Sequence, residues 1–208
     1  MKKVLVLLGG SALFLASCVD NPEGKKAETT DSTKVAAISG AQLMVDTTLS
    51  SLAWTARKVS ATHNGDVKIK SGTIAISDGK LTGGNFTVDL TTLTNKDLEG
   101  EYKGKLEGHL KSPDFFDVAN HPTAVFEITE VKPGTTPQQV VVSGNLTIRG
   151  VSKNITFDTN ISEATENSFK AVADFNIARE DWGIVYTGKA DDLISKEINL
   201  KINLAATK

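Results

Sequence analysis

The segment from Ile194 to Ala205 alternates apolar and polar side chains with a period of two. The apolar positions are Ile198, Leu200, Ile202 and Leu204, and the polar positions between them are Glu197, Asn199, Lys201 and Asn203. Successive side chains of a β-strand point to opposite faces of the sheet, so the pattern predicts a strand with one apolar and one polar face. Such a strand must cover its apolar face with other parts of the chain.

The same alternation recurs after Leu43, in segments separated by short turn sequences. The predicted strands are Leu52–Val59, Val67–Ile76, Leu81–Leu93, Ala124–Lys132, Gln139–Arg149, Asn154–Ile161, Ser168–Ala178 and Ile194–Ala205. About eight strands with short connections are typical of an antiparallel barrel or sandwich. We therefore expect an all-β fold.

Glycine-containing sequences predict the turns and bends between these strands. His63–Asp66 contains Asn-Gly and Ser77–Gly79 contains Asp-Gly, and both dipeptides favour hairpin turns. Gly83 and Gly84 lie within a strand, where a glycine pair indicates a bulge or a sharp bend of the sheet.

One segment, Lys96–Lys111, has a helical pattern. Its apolar stripe consists of Leu98, Tyr102, Leu106 and Leu110, and Gly100, Gly104 and Gly108 interrupt it. Each glycine weakens a helix by about 1 kcal/mol relative to alanine. Two interpretations stay open, a mobile gate at the mouth of a barrel or a poor helix that covers an open end.

The polar faces of the strands exclude an outer-membrane barrel, which needs apolar residues and aromatic girdles on its outer surface. Aromatic residues make up only 6% of the chain, and the second face carries Lys, Glu, Asn and Thr. The apolar faces must therefore point inward. An eight-stranded barrel either fills its interior with side chains or holds one slim ligand, and the alternation does not distinguish these options.

The first 17 residues have the composition of a secretory signal. Lys2 and Lys3 precede the apolar segment Val4–Leu15, which is shorter than the ~20 residues of a membrane-spanning helix. The sequence Leu15-Ala16-Ser17-Cys18 resembles a bacterial lipobox, and Cys18 is the only cysteine. We expect cleavage before Cys18 and lipidation of its thiol, which would anchor the protein to a membrane. The alternative is an ordinary signal peptide with a chance cysteine.

Residues 18–40 are rich in Thr, Lys and Glu and contain no aromatic residue. This composition predicts that the lipidated cysteine is followed by a disordered tether, with a short helix at Lys34–Ile38 as the alternative. The folded domain is then residues 41–208. Cleavage of residues 1–17 would leave 21 of the 23 basic residues against 25 acidic ones, a formal charge of −4. With no basic patch, nucleic acid is an unexpected partner.

The sequence from His109 to Phe126 places two adjacent aromatic residues, Phe115 and Phe116, between two proline-induced breaks. Burying such rings is worth roughly 1.5–3 kcal/mol each, so a connection of this kind either covers an apolar pocket as a lid or anchors itself to a core. Asp114 and Asp117 flank the rings, and capping of the loop explains them better than an acid pair does.

Three sequence segments together resemble the YceI-like family of lipid- and polyisoprenoid-binding proteins. The first is HLKSPDFFDVANHPTAVFEITEV, which starts at His109. The second is Gly144–Lys153, which is similar to the pattern G-x-L-T-I-x-G-V-T-K. The third is Ile177–Ile184, similar to I-x-R-x-D-F-G-I, with Trp182 where phenylalanine is usual. The resemblance extends over about Leu43 to Ala205.

The resemblance implies a lipocalin-like barrel with an elongated apolar tunnel for a polyisoprenoid chain. The parity of the strands places Trp54, Phe86, Phe126, Phe157, Phe175 and Trp182 mainly on inward faces, as core or tunnel residues. Phe115 and Phe116 are the candidate lid. Arg179 is a candidate contact for a polar head group, because arginine suits phosphate. An ordinary structural contact at a strand end is the simpler interpretation of Arg179.

Catalytic and metal-binding patterns are absent from the sequence. His63, His109 and His121 are scattered, and no H-x-x-x-H, C-x-x-C, G-x-S-x-G or phosphate-loop pattern occurs in the required context. An enzyme on this scaffold would need titratable residues that converge inside the barrel, and the strands offer almost none. We therefore expect no catalytic residues, no metal and no cofactor other than a bound lipid or quinone.

The leading hypothesis is a non-catalytic carrier of an isoprenoid lipid, held by its lipid anchor in the bacterial cell envelope with the domain in the periplasm or at the cell surface. The alternative is a surface interaction module with a solid core and no internal ligand. An internal cavity separates the two. The sequence does not identify the lipid, and it leaves the oligomeric state open, a homodimer included.

Overall fold

The computed structural model describes residues 19–35 and 37–208. The predicted signal segment and the predicted lipidation site Cys18 lie outside the described residues. The strands are β1 (Lys25–Lys26), β2 (Glu28–Asp31), β3 (Ala41–Val45), β4 (Ser51–Lys58), β5 (Ala61–Ser77), β6 (Lys80–Asn95), β7 (Thr123–Pro133), β8 (Gln139–Ile148), β9 (Val151–Ala164), β10 (Ser168–Ala178), β11 (Gly188–Lys189) and β12 (Asp192–Thr207). Helix α1 spans Gly100–Lys111, and a 3₁₀ turn spans Arg179–Trp182.

Eight antiparallel strands close into a barrel, as the sequence predicts. From β4 to β10, each strand pairs with the next along the chain. Strand β12 then pairs with both β10 and β4 and closes the ring. The short strand β3 continues the position of β4, because it also lies between β12 and β5. A closed barrel leaves its main strands without the exposed edges through which sheets aggregate.

In β10 and β12, apolar side chains point into the barrel and polar side chains point outward, as the alternation in the sequence predicts. Inward positions of β10, such as Phe169, Phe175 and Ile177, are buried, while Lys170 and Asp174 between them are exposed. Lys201 of β12 pairs with Asp174 on the outer surface. The apolar faces of all eight strands form one core cluster inside the barrel.

Two of the turn predictions are confirmed and one is wrong. Asp78 and Gly79 both have positive φ, 51° and 71°, in the hairpin between β5 and β6. The register between these strands shifts opposite Gly83, where the glycine pair predicts a bulge. His63–Asp66, however, lies inside β5. Position 65 has no room for a side chain, since a Cβ on Gly65 would lie 1.8 Å from the Thr94 carbonyl oxygen.

Helix α1 starts at Gly100, four residues later than the pattern predicts. None of its residues is fully buried, as expected for a helix that covers an end of the barrel. Glu107 holds it to β6 by accepting hydrogen bonds of 2.8 Å from the Thr94 hydroxyl and from the Asn95 N–H. These bonds, that from the Asn95 backbone above all, lower the pKa of Glu107.

Part of the segment predicted as a disordered tether, residues 18–40, is instead ordered: Lys25–Lys26 and Glu28–Asp31 form strands β1 and β2. Strands β9 and β10 pair only as far as Thr159 and Ala173 and then separate. The segment Lys25–Asp31 enters the gap, with β1 parallel to β10 and β2 antiparallel to β9. We call residues 21–33 the N-terminal arm.

The arm is held by two buried residues, Pro22 and Ala27, and by many polar contacts. Ala27 is 3% exposed and belongs to the core cluster. The Asn176 side chain donates to the Pro22 carbonyl oxygen at 2.9 Å, and Asn145 exchanges hydrogen bonds of 3.0 and 2.6 Å with the Thr33 backbone. The Ser195 hydroxyl donates to the Asn21 side chain at 2.7 Å. The polar composition of the arm misled the prediction, because backbone pairing rather than apolar burial attaches it to the barrel.

Candidate functional site: an apolar interior with a polar mouth

The barrel encloses two neighbouring apolar cavities. The distal chamber, on the side away from α1, is bordered by residues that include Phe86, Phe126, Phe157, Phe169 and Phe175. The proximal chamber, beneath α1, is bordered by residues that include Trp54, Leu110, Phe115, Phe116 and Ile148. Both chambers share Leu52, Val88, Ala124, Leu146 and Leu200 in their walls, so they follow one another along the barrel.

Each chamber is larger than the space that one water molecule needs. The cavity volumes are about 120 Å³ for the distal chamber and about 110 Å³ for the proximal one. One water molecule needs roughly 10–15 Å³ of such space. The accessible lining is almost wholly apolar in the distal chamber and wholly apolar in the proximal one. Apolar cavities of this kind stay dry and take apolar ligands.

Aromatic rings form a band around the wall of the distal chamber. Phe86 and Phe126 stack with centroids 6.3 Å apart, Phe126 lies 5.7 Å from Phe157, and Phe157 stacks on Phe175 at 4.0 Å. The four predicted residues therefore come together, although they belong to four different strands. Phe169 lies in the same wall and is 1% exposed. The sequence interpretation missed it, but it shares the inward parity of Phe175 on β10.

Glycines on neighbouring strands make room for these rings. A Cβ on Gly144 would lie 2.3 Å from the Phe126 ring, and one on Gly72 would lie 2.8 Å from the Phe86 ring. Gly65 stands in the same relation to Trp54, at 2.6 Å. An aromatic side chain that covers a strand glycine is a known way to fix a ring on a curved sheet. The positions of the rings are thus built into the neighbouring strands.

The Phe-Phe loop lies over the proximal chamber. Phe115 is 5% exposed, Phe116 is half-buried, and both border the chamber. The Arg149 guanidinium donates a 2.8 Å hydrogen bond to the Phe115 carbonyl oxygen and so fixes the loop to the barrel. Asp117 stays within the loop and accepts from the Asn120 side chain at 3.1 Å. This placement is what a lid or wall would require.

The two remaining predicted site residues within the described chain, Trp182 and Arg179, make structural contacts. Trp182 is 1% exposed, but it borders neither chamber, and its indole N–H donates to the Leu146 carbonyl oxygen at 2.9 Å. It is a core residue. Sequence parity could not show this, because Trp182 lies in the 3₁₀ turn rather than in a strand.

Arg179 borders the proximal chamber with apolar surface alone. Its guanidinium is directed away and donates to the carbonyl oxygens of Ile184 and Ser195 at 2.7 and 2.9 Å. Burial lowers the pKa of Arg179, and the charge of Glu180 opposes that change. This geometry is structural, since it ties the turn after β10 to the start of β12, and it offers a head group no free donor in the chamber.

A third cavity, the mouth cleft, lies outside the proximal chamber and is more polar. Trp54, Ala56, Leu110, Phe115 and Ile194 separate the two, because these residues border both. The cleft has a volume of about 280 Å³. Its polar residues are Arg57, Lys58, His63, His109, Tyr186, Lys189 and Asp192.

Aromatic and ionic contacts organise the mouth cleft. The His109 ring meets Phe115 and Tyr186 edge-on, at 4.9 and 4.8 Å. Lys58 and Asp192 form an ion pair of 2.6 Å, and Asp192 also accepts from the Ser60 N–H at 3.0 Å. The hydrogen bonds from Lys58 and Ser60 lower the pKa of Asp192 to about 2.

Within residues 19–35 and 37–208, no three His, Cys, Asp or Glu side chains are grouped to hold a metal ion. The same residues contain no helix long and apolar enough to cross a membrane.

A closed antiparallel β-barrel with an apolar, partly empty interior places this chain in the lipocalin-like class of small barrels. The chain belongs to the YceI-like family, since the YceI-like domain matches residues 43–206. The match begins after the N-terminal arm.

Similarity to individual proteins is more distant. A UPF0312 protein of Pseudomonas aeruginosa is 43% identical over 53 residues, 26% of this chain and 27% of that protein. The chain therefore matches only about a quarter of the length of such relatives. A UPF0312 protein of Pseudomonas putida is 27% identical over 145 residues, 66% of this chain and 72% of that protein.

Solved structures share the fold. Burkholderia cenocepacia BcnA aligns with a TM-score of 0.66 and 19% identity, covering 78% of this chain and 99% of BcnA. A polyisoprenoid-binding domain from Saccharophagus degradans, implicated in plant cell wall breakdown, aligns with a TM-score of 0.60 and 16% identity over 81% of this chain and 99% of that domain. These identities establish the barrel fold alone.

Proposed function

We propose that this protein binds a long-chain isoprenoid lipid, a polyisoprenoid or an isoprenoid quinone, inside its barrel without catalysing a reaction. The observation that carries the proposal is the pair of consecutive apolar chambers within a closed barrel. Membership of the YceI-like family and the likeness to a polyisoprenoid-binding domain support it.

The energetics favour a chain-shaped apolar ligand. Burying a CH₂ group is worth about 0.8 kcal/mol, and side chains around an empty cavity lack contacts on that side. A flexible hydrocarbon chain that passes from the proximal to the distal chamber supplies these contacts. The rings of the aromatic band would then contact the chain, and the Phe115–Phe116 loop would cover its entry.

A membrane anchor completes the proposal. The lipobox-like sequence before Cys18 supports lipidation, and an acylated protein of this kind would reside in the cell envelope, with the barrel in the periplasm or at the cell surface. Acyl chains on the wild-type protein from bacterial membranes, and their loss in Cys18→Ala, are the expected result of intact-mass measurement. An unacylated wild-type protein in a bacterium with lipoprotein-processing enzymes would contradict the anchor.

Native mass spectrometry tests the ligand. The protein is expressed from Val19, which retains the arm, and is purified without harsh detergent. We expect an added mass that extracts into chloroform and matches a prenyl lipid or quinone, or uptake of geranylgeraniol on titration. A bare protein that takes up no prenyl chain would favour the interaction module instead.

A further inference from the structure

The two chambers are a poor place for the polar end of a lipid. Their lining is almost wholly apolar, and among the described residues that border them only the Trp54 indole nitrogen and the Thr159 hydroxyl are buried without a hydrogen-bond partner. Burying an unpaired hydroxyl or amide there would cost roughly 1–3 kcal/mol, and burying a charge would cost far more. A lipid whose chain fills the chambers must therefore keep its head group outside them.

The mouth cleft is the polar space next to the proximal chamber. Trp54, Leu110 and Phe115 border both cavities, so a chain that passes these side chains reaches the cleft directly. The cleft contains three cationic side chains, Arg57, Lys58 and Lys189, and one carboxylate, Asp192.

Two of these cations have no carboxylate partner within the described residues. Asp192 is paired with Lys58 at 2.6 Å. Arg57 donates only a long 3.4 Å hydrogen bond to the Asn21 carbonyl oxygen, and Lys189 makes no ion pair or side-chain hydrogen bond with residues 19–35 or 37–208. The two histidines of the cleft already have acidic partners, His63 with Asp97 at 2.7 Å and His109 with Asp114 at 3.1 Å.

Among the charged residues that border the cleft, three are cationic and one is anionic, on a chain whose formal charge is −2. Arginine and lysine bind phosphate and carboxylate groups by charge-assisted hydrogen bonds, arginine often through two at once. The Tyr186 side chain also borders the cleft and carries a further hydroxyl group.

We infer that the mouth cleft is a head-group site that selects a prenyl lipid with an anionic end, a phosphate or a carboxylate, through Arg57 and Lys189. This inference rests on the proposed function. It replaces Arg179 as the head-group contact, because the Arg179 guanidinium is occupied by backbone carbonyl groups.

The test compares three probes with the same C20 chain: geranylgeraniol, geranylgeranoic acid and geranylgeranyl monophosphate. Dissociation constants are measured at low ionic strength by competition with a fluorescent prenyl probe. At least one anionic probe should bind about tenfold more tightly than the alcohol, equivalent to about 1.4 kcal/mol. The tighter of the two anions distinguishes a phosphate end from a carboxylate end.

The double variant Arg57→Gln/Lys189→Gln should lose this preference while its affinity for the alcohol stays unchanged. Lys80→Gln is the matched control, since Lys80 is an exposed lysine at the β5–β6 turn, away from the cleft. The preference should also shrink in high salt, because the Debye length falls from about 30 Å at 0.01 M to about 3 Å at 1 M.

Equal affinities of the wild-type protein for all three probes, or a preference that survives in the double variant, would overturn the inference and leave the proposed function intact. Binding of none of the three probes would overturn both.

Discussion

At the scale of single residues, the sequence predicted four of the aromatic side chains that line the distal chamber, but it missed Phe169 and did not show how the rings are arranged. Parity placed Phe86, Phe126, Phe157 and Phe175 inward, and these rings form the band around the distal chamber. Parity carries no information on ring contacts across strands. Those contacts depend on glycines such as Gly144, whose missing side chain leaves the space that Phe126 fills.

Gly144→Val is therefore expected to destabilise the protein by about 1–3 kcal/mol, the usual cost of overpacking. Phe126→Ala removes the ring that the new side chain would meet. In the double variant, the loss of unfolding free energy should be smaller than the sum of the single losses by about 1 kcal/mol. Urea unfolding measures all three variants. Strictly additive losses would show that the ring does not occupy the space over Gly144.

The ion pair at the mouth cleft predicts a pH dependence of stability. The pKa of Asp192 falls from its ordinary value of 3.8 to about 2 in the folded protein. A lowered carboxyl pKa stabilises the fold above the unfolded value, and this stabilisation is lost as the pH falls from about 4 through 2. Asp192→Asn should lose less stability than the wild type over this interval in thermal unfolding. Identical pH profiles would mean that Asp192 is not paired in solution.

At the scale of elements, strands of clear alternation were predicted well and the polar arm was not. The predicted bounds of β10 are the same as the observed ones, and burial alternates regularly from Phe169 to Phe175. The arm has only two buried residues, Pro22 and Ala27, among polar neighbours. The arm is ordered because its backbone pairs with the N–H and C=O groups of β9 and β10 that these strands do not use with each other. Composition cannot reveal such a partner elsewhere in the sequence.

Ala27→Asp should release the arm, because it places a carboxylate at a position that is 3% exposed. We expect a lower Tm, by about 2–4 °C for each kcal/mol lost, and faster amide exchange in residues 25–31 and in their partners 153–156 and 175–176. Thr30→Asp is the matched control, since it adds the same charge at an exposed position of the same segment. Equal effects of the two substitutions would contradict a docked arm.

At the scale of the whole molecule, closure of the barrel and emptiness of its interior have different origins. The strand pattern left a barrel or a sandwich open, and the resemblance to the YceI-like family predicted the closed barrel. The chambers depend on how large rings and glycines on neighbouring strands pack together, a property that no single position displays. The polar mouth arises in the same way, from β4, α1 and the segment before β12, which are distant in the sequence.

Photo-crosslinking can show whether a prenyl chain lies inside this barrel. A geranylgeranyl probe with a diazirine near the end of its chain is bound, irradiated and mapped by peptide mass spectrometry. We expect labels on residues of the distal chamber, such as Phe126, Phe157 and Phe175. Labels confined to apolar residues exposed on the outer surface, such as Met44 and Leu49, would contradict this expectation.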